Sequence, residues 1–292
     1  MAALTGEVTS TTGAVYIPEK WSDLVIKFRE ANLKAANFFE RRDQDISDSG
    51  ATIHFPLATT HTAVEYTEGQ QLEDLLQANT ETEVEMDIDE YWVNPFVVSD
   101  RLAKQSQYDQ KAINYRAAGY AIATNIDSAI LALSDEFTNT AVNAAGTAIS
   151  NLDLTDCQYQ LDALNVPEED RMWFLHPVCI KDLMDLTGNY FTSSDFTGAN
   201  AVSSGKIAGL VGMMLGSPVC KTTNVPTSTT GSPATTYYEN VYAHKEAIGC
   251  AMQITPEVQE KADINLQGVL CNVRALYGLV TLRADHGIVL NR

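Results

Sequence analysis

The segment from Ser99 to Asp135 constrains the fold of this chain more than any other part of the sequence. It contains no proline and a single glycine, Gly119. Its apolar side chains recur on one face of a helix, at Tyr115, Ile122, Ile126, Ala129 and Leu133. Ser99 or Asp100 can cap the first turn. Such a helix spans about 55 Å, roughly three times the length of an average globular helix. We therefore expect one very long helix that lies along a surface or forms a strut.

A long extended section precedes this helix. Ile53, Phe55 and Leu57 alternate with polar or small neighbours and predict a half-buried strand. The clearest strand pattern is Glu83–Asp89, where one face carries Val84, Met86 and Ile88 and the other carries Glu83, Glu85, Asp87 and Asp89. Because a lone two-stranded hairpin is only marginally stable in water, we expect this excursion to lie on another surface.

The flanking regions predict a mixture of helices and strands. Residues 1–15 are small, polar and rich in threonine, which predicts a flexible arm, and residues 19–36 predict a short amphipathic helix that contains Trp21 and Phe28. Residues 150–240 predict short helices and strands, with a polar loop over 226–233. Alternation over 269–275 predicts that the chain ends in sheet. These elements together predict an α+β fold.

Composition restricts the class of protein. Of the 292 residues 45% are hydrophobic, so the chain can bury a core, and its formal net charge is −19. Because sequence-independent affinity for nucleic acid comes from Lys and Arg that neutralise phosphates, a DNA-binding module, and with it sequence-specific DNA binding, is not expected in so acidic a chain. No apolar run approaches the roughly 18 residues of a membrane span. The first residues lack the basic and apolar parts of a secretory signal. We expect a protein made in a cytoplasm, without a membrane partner.

Cysteine and histidine positions give no pattern for a metal or a cofactor. The five cysteines are widely spaced and odd in number, which predicts buried thiols in a reducing compartment. His54 and His61 lie seven residues apart, and His176, His244 and His286 are isolated in the sequence, so none has the convergent spacing of metal ligands. The acidic strand lacks the loop that wraps calcium. We expect no metal and no cofactor.

Enzyme motifs are absent as well. The stretch Gly205-Lys206-Ile207 lacks both the upstream glycine and the following Ser or Thr of a phosphate-binding loop. The glycines from Gly209 to Gly216 do not match the dinucleotide-binding pattern, and no Gly-x-Ser-x-Gly elbow is present. The sequence therefore names no catalytic residue, and we do not expect an enzyme.

Charged residues are distributed unevenly along the chain. From Ala58 to Asp100 there are 11 acidic residues and no Lys or Arg, whereas Lys20 to Arg42 contains six basic residues. One interpretation is a solvated strand face. The other is that the acidic strand contacts the basic arm and long helix of a neighbouring subunit, where Lys104 and Lys111 lie. Each exposed ion pair contributes at most about 1 kcal/mol, but an assembly repeats it in every subunit.

The order of these elements resembles a known viral fold. Arm, short helix, β excursion, long helix, mixed region and returning strands occur in this order in the Hong Kong 97-like capsid proteins of tailed phages. Three stretches are similar to segments of that family: Asp89–Ser106, where a strand enters the long helix, Met172–Leu183, a strand and helix, and Leu215–Pro226, a turn and strand.

The resemblance implies a division of the chain into five parts. These are an N-terminal arm with a short helix (1–49), an extended β loop (50–97), a peripheral domain with the spine helix (98–140), an axial domain (141–240) and returning strands of both domains (241–292). It further implies a major capsid protein that forms pentamers and hexamers of an icosahedral shell around double-stranded DNA. A portal protein, and scaffolding or decoration proteins, would be its partners in the virion, which is assembled in the bacterial cytoplasm.

The resemblance also indicates where neighbouring subunits meet. The expected contact residues lie on the arm, the acidic strand, the long helix and the axial loops: Trp21, Phe28, Arg41, Arg42, Glu83, Val84, Glu85, Met86, Asp87, Ile88, Asp89, Lys104, Lys111, Gly198 and Ser204. Covalent Lys–Asn crosslinking, known in part of the family, is not expected because residues 44–103 contain no lysine.

Three other functions are compatible with parts of the sequence. The shell of an encapsulin-like cellular compartment would use the same fold. A soluble α/β enzyme would leave the long acidic excursion unexplained. A tail or decoration protein would not account for the long helix that follows the excursion.

Overall fold

The computed structural model describes residues 34–46, 50–57, 61–77, 82–106, 110–186, 210–230 and 235–292. The helices in these ranges are α1 (Ala35–Phe38), α2 (Asp100–Gln105), α3 (Gln110–Ala132), α4 (Asn151–Ala163) and α5 (Pro177–Asp185). Trp21, Phe28, Gly198 and Ser204 lie outside the described residues, as does most of the helix predicted over 19–36.

Twelve strands in the described ranges form three sheets. The strands are β1 (Glu40–Arg41), β2 (Thr52–Leu57), β3 (Thr82–Asp87), β4 (Glu90–Ser99), β5 (Arg171–Leu175), β6 (Leu210–Met214), β7 (Ser217–Lys221), β8 (Thr227–Thr230), β9 (Thr235–His244), β10 (Ile248–Asp263), β11 (Gly268–Thr281) and β12 (Gly287–Asn291). One sheet has the order β1-β10-β11-β4, the second has the order β12-β9-β5-β7-β6 with β8 beside β9, and β2 and β3 form a hairpin. The predicted α+β class is confirmed.

The four-stranded sheet carries α3 on one face. Strand β11 is antiparallel to both β10 and β4. Because side chains alternate along β11, Val273, Ala275 and Tyr277 are buried against the apolar face of α3, where Ile122 and Ile126 lie. The sequence patterns that predicted a strand over 269–275 and a helical stripe are thus confirmed.

The single long helix predicted over 99–135 is wrong at one place. Ser99 does cap a helix, since its Oγ accepts a hydrogen bond from the N–H of Leu102 at 3.3 Å. That helix, α2, ends at Gln105, and Ser106 has extended backbone (φ −76°, ψ 136°) before α3 begins. None of the residues in α2 is buried, so no packing holds it in line with α3. Tertiary packing supplies most of the stability of a helix, and the exposed side chains of α2 contribute little of it.

The six-stranded sheet is built around β5, whose five residues are all buried. Strand β5 pairs in parallel with β7 and antiparallel with β9. Helices α4 and α5 cover the face that carries Trp173, which stacks on Tyr242 at 3.8 Å between ring centroids. Helix α4 begins with a capping box between Ser150 and Asp153, which satisfies two backbone donors of its first turn.

The loop predicted over 226–233 contains a strand. Residues Thr227–Thr230 form β8, which pairs with β9 from Thr227↔Tyr238 to Thr230↔Thr235. Threonine is common in strands. The polar composition was typical of a loop, but the free edge of β9 provides hydrogen-bond partners that the local sequence does not reveal.

The two sheets share one apolar core. It contains Phe174 and Val241 from the six-stranded sheet and Val273 and Tyr277 from the four-stranded sheet, together with α1 and α3. The chain passes between the sheets at the turn from β9 to β10 and again at the turn from β11 to β12. These crossings place β10 and β11 in one sheet and β12 in the other.

Candidate assembly surface

The acidic hairpin, β2 with β3, rests by its base on the four-stranded sheet. It pairs in regular antiparallel register from Thr52↔Asp87 to Leu57↔Thr82. Met86 and the following Ile88 are buried against Ala251 and Leu276, on the face of the sheet opposite α3. The expectation that this hairpin lies on another surface is confirmed at its base.

Backbone contact at this base is very close. A Cβ atom added to Gly278 of β11 would lie 2.4 Å from the backbone oxygen of Asp87 and 2.9 Å from Cγ1 of Ile88. Glycine is therefore required here to let the sheet meet the hairpin.

The outward face of the hairpin is acidic, as its alternation predicted. Glu83, Glu85 and Asp87 are exposed, whereas Met86 is buried. His54 lies directly opposite Glu85 in the register, and its Nδ1 is 3.4 Å from a carboxylate oxygen of Glu83 and 3.5 Å from one of Glu85. This acidic face is continued by the exposed Asp89 beyond the end of β3.

The outer loop, residues 61–77, presents large apolar side chains to solvent. Val64, Tyr66, Leu72 and Leu76 are 51%, 55%, 71% and 79% exposed. The two ends of the loop are held together by Gln77, whose Oε1 accepts a hydrogen bond from the N–H of Thr62 at 3.1 Å. Single exposed apolar residues are ordinary on a protein surface, but four in one loop indicate a contact site.

Most of the expected basic contact residues already have partners in their own chain. Arg41 pairs with Asp43 at 2.5 Å, and Arg42 pairs with Glu40. Lys111 lies 3.4 Å from Glu260 on β10. Lys104 on α2 is exposed and forms no ion pair within the described ranges. Such exposed pairs are weak, so Arg41, Arg42 and Lys111 can exchange their present partners for residues of another subunit. Lys104 could pair with another subunit without first breaking an ion pair within the described ranges.

Tertiary structure brings histidines close to carboxylates in two places where the sequence spacing predicted no metal site. His244 and His286 converge with Glu246 at the two crossings between the sheets, and His54 converges with Glu83 and Glu85 on the hairpin. Strand register could have suggested the second group, because His54 and Glu85 face each other across β2 and β3. No local spacing signal exists for the first group, since His244 ends β9 and His286 lies in the turn before β12, far away in the sequence.

The five cysteines are free and buried, which confirms the prediction of buried thiols without disulfides. Burial raises the pKa of Cys179, Cys220 and Cys250 to about 11. A protonated, buried thiol is a poor nucleophile and a poor metal ligand, so these side chains act as small apolar residues.

Across the described ranges, none of the helices is both long enough and apolar enough to cross a membrane.

Solved structures of phage capsids have the same fold as this chain. A structure from Mycobacterium phage Che8 superposes with a TM-score of 0.73 at 20% identity, covering 94% of this chain and 97% of that one. The capsid structure of the cyanophage P-SCSP1u gives 0.72 at 19% identity over 96% and 93% of the two chains. The capsid of Ralstonia phage GP4 gives 0.72 at 14% identity over 94% of each. At these identities the likeness shows the fold, and it confirms the Hong Kong 97-like architecture.

Sequence comparison identifies the family. No curated protein sequence matches this chain significantly. The phage capsid protein family, in contrast, matches residues 43–273, which is well over half of the chain. This match favours the phage capsid over the encapsulin-like shell, the soluble enzyme and the tail or decoration protein. The chain therefore belongs to the phage capsid protein family, and its function is that of a major capsid protein.

Proposed function

We propose that copies of this chain form pentamers and hexamers of an icosahedral shell around double-stranded DNA, with the acidic hairpin and outer loop lying on a neighbouring subunit. The outer loop carries this proposal, because its four large apolar side chains are at least half exposed in the isolated chain. Fully burying a side chain of this size stabilises a contact by about 1.5–3 kcal/mol. A neighbouring subunit supplies the missing cover.

Charge supports the same arrangement. The acidic face (Glu83, Glu85, Asp87) points away from its own sheet, and the exposed Lys104 on α2 has no ion pair within the described ranges. Contact between the acidic face of one subunit and the α2 region of the next would pair these charges. Trp21, Phe28, Gly198 and Ser204 remain proposed contacts of the arm and axial loops.

A structural role without catalysis fits the remaining features. The net charge of −19 gives the inner wall of a shell little affinity for the packaged DNA. We place the subunit in the virion, after assembly in the host cytoplasm. A portal protein fills one vertex, and separate scaffolding or decoration proteins can take part.

Electron microscopy of the purified protein, together with its sedimentation profile, tests the proposal. The wild type is expected to form closed shells or capsomer rings. A Leu72→Ser/Leu76→Ser variant is expected to stay unassembled, while its unfolding free energy changes by no more than about 0.5 kcal/mol because both residues are exposed. Leu152→Ser on α4, also an exposed leucine, is the matched control and is expected to assemble.

Two results would contradict the proposal. One is a wild-type protein that stays monomeric at all concentrations, salt conditions and crowding levels, with or without the scaffolding protein of its own phage. The other is normal shell formation by the outer-loop variant at the same protein concentration as the wild type.

A further inference from the structure

Two turns meet at the junction of the two sheets. A 3-10 turn at Lys245–Ala247 connects β9 to β10, and a second at Ala284–His286 connects β11 to β12. Strands β9 and β12 belong to the six-stranded sheet, whereas β10 and β11 belong to the four-stranded sheet. Whatever holds these turns together therefore also holds one sheet against the other.

Three metal-ligand side chains converge at this point. His244, Glu246 and His286 each offer one nitrogen or oxygen atom, and these atoms lie within 4.8 Å of one another. The rings of His244 and His286 are 5.6 Å apart between centroids and nearly perpendicular, at 88°. Both histidines are buried, with 6% and 8% of their surface exposed, while Glu246 is exposed.

His286 has an unused ligand atom. Its Nδ1 is buried and has no hydrogen-bond partner among the described residues. A buried polar atom without a partner is rare in native proteins and calls for an explanation.

The other nitrogen of His286 faces a carboxylate. Its Nε2 lies 3.9 Å from an oxygen of Asp285. Metal-bound histidines commonly direct their second nitrogen to a carboxylate, which fixes the ring and makes the ligand more basic. At 3.9 Å the two atoms are beyond hydrogen-bond distance, so Asp285 adds a nearby negative charge to the cluster rather than a hydrogen bond.

We propose that His244, Glu246 and His286 bind a transition-metal cation such as Zn²⁺, which fastens the two turns and hence the two sheets together. Two imidazoles and one carboxylate favour zinc, cobalt or nickel over calcium and magnesium, which prefer oxygen ligands. His244 now accepts a hydrogen bond from the N–H of Glu246 at 3.2 Å through Nδ1. Because Nδ1 is engaged in this hydrogen bond, Nε2 is the nitrogen of His244 that remains available to a metal.

Zinc titration of the full-length protein, after a chelator wash and dialysis, tests the site. Calorimetry is expected to show one Zn²⁺ per chain that raises the unfolding temperature. Glu246→Gln changes an exposed residue, so the chain still folds, and it should weaken binding by at least about tenfold. His286→Gln should abolish it.

His54→Gln is the matched control, because His54 with Glu83 and Glu85 is the second His–carboxylate cluster and all three of its residues lie at the surface. This variant should bind Zn²⁺ at the junction as the wild type does. The proposal is overturned if the wild type binds Zn²⁺ no more tightly than Glu246→Gln. It is equally overturned if His54→Gln removes the binding that Glu246→Gln retains.

Discussion

Replacing Gly278 by alanine tests how the acidic hairpin is seated. The added Cβ would lie 2.4 Å from the backbone oxygen of Asp87 and 2.9 Å from Cγ1 of Ile88, so the base of the hairpin has to move by about 1 Å. Overpacking of this kind costs about 1–3 kcal/mol. A matched control is Gly119→Ala in α3, where the added Cβ meets nothing within 4 Å. There the same change removes glycine from a helix interior and should stabilise the chain by about 0.5–1 kcal/mol.

Urea unfolding of unassembled subunits, followed by far-ultraviolet circular dichroism, measures both variants. The urea concentration at the midpoint of unfolding should fall for Gly278→Ala and rise for Gly119→Ala. The slope of the unfolding free energy against urea concentration should stay the same in both variants. Hydrogen exchange should accelerate in β2 and β3 of Gly278→Ala but not in α4, because only the hairpin is displaced. If Gly278→Ala is as stable as the wild type while Gly119→Ala behaves as expected, the close approach of hairpin and sheet is refuted.

Three further predictions concern single side chains. Asp127, buried in α3, accepts the backbone N–H groups of Lys34 and Ala36 at 3.2 and 3.0 Å. Asp127→Ala should lower the unfolding free energy in urea by about 2–4 kcal/mol, and a loss below about 1 kcal/mol would contradict this role. Burial lowers the pKa of His176 in the folded chain. Its contribution to the free energy of unfolding is therefore fully present above the histidine pKa of the unfolded chain, about 6.5, and is lost as the pH falls through the pKa of the folded chain. The unfolding temperature of His176→Asn, in which Asn can still cap α5, should therefore drop less between pH 7 and pH 5 than that of the wild type. An equal drop in the unfolding temperatures of the two proteins would disprove this role of His176. Charge reversal of Glu85 and Asp87 should prevent shell assembly at low salt, and assembly that is unchanged at both low and high salt would show that the acidic face is merely solvated.

Local sequence patterns predicted the elements that are stabilised by their own periodicity or caps. The alternation in Glu83–Asp89 placed Met86 inward and the carboxylates outward, and the structure confirms this. The capping role of Ser99 and the buried stripe of α3 were equally readable, because both depend on residues within a few positions of one another.

The prediction of one long helix was wrong near Ser106, where local helix propensity and tertiary packing disagree. Nothing in residues 100–110 forbids a helix, since the segment contains neither proline nor glycine. The chain nevertheless leaves the helix at Ser106, because α2 has no apolar face buried against the sheet. The strand β8 shows the opposite case, where a polar segment becomes ordered because an edge of β9 is available.

The sequence by itself determined the α+β class, the order of the elements, the acidic face and the burial of the cysteines, because each follows from residues that are neighbours along the chain. Only the tertiary structure decided where α2 ends, that β8 is a strand, which basic residues already have partners, and that His244 and His286 meet. Those outcomes depend on strand pairing and packing between residues far apart in sequence, which no local pattern encodes.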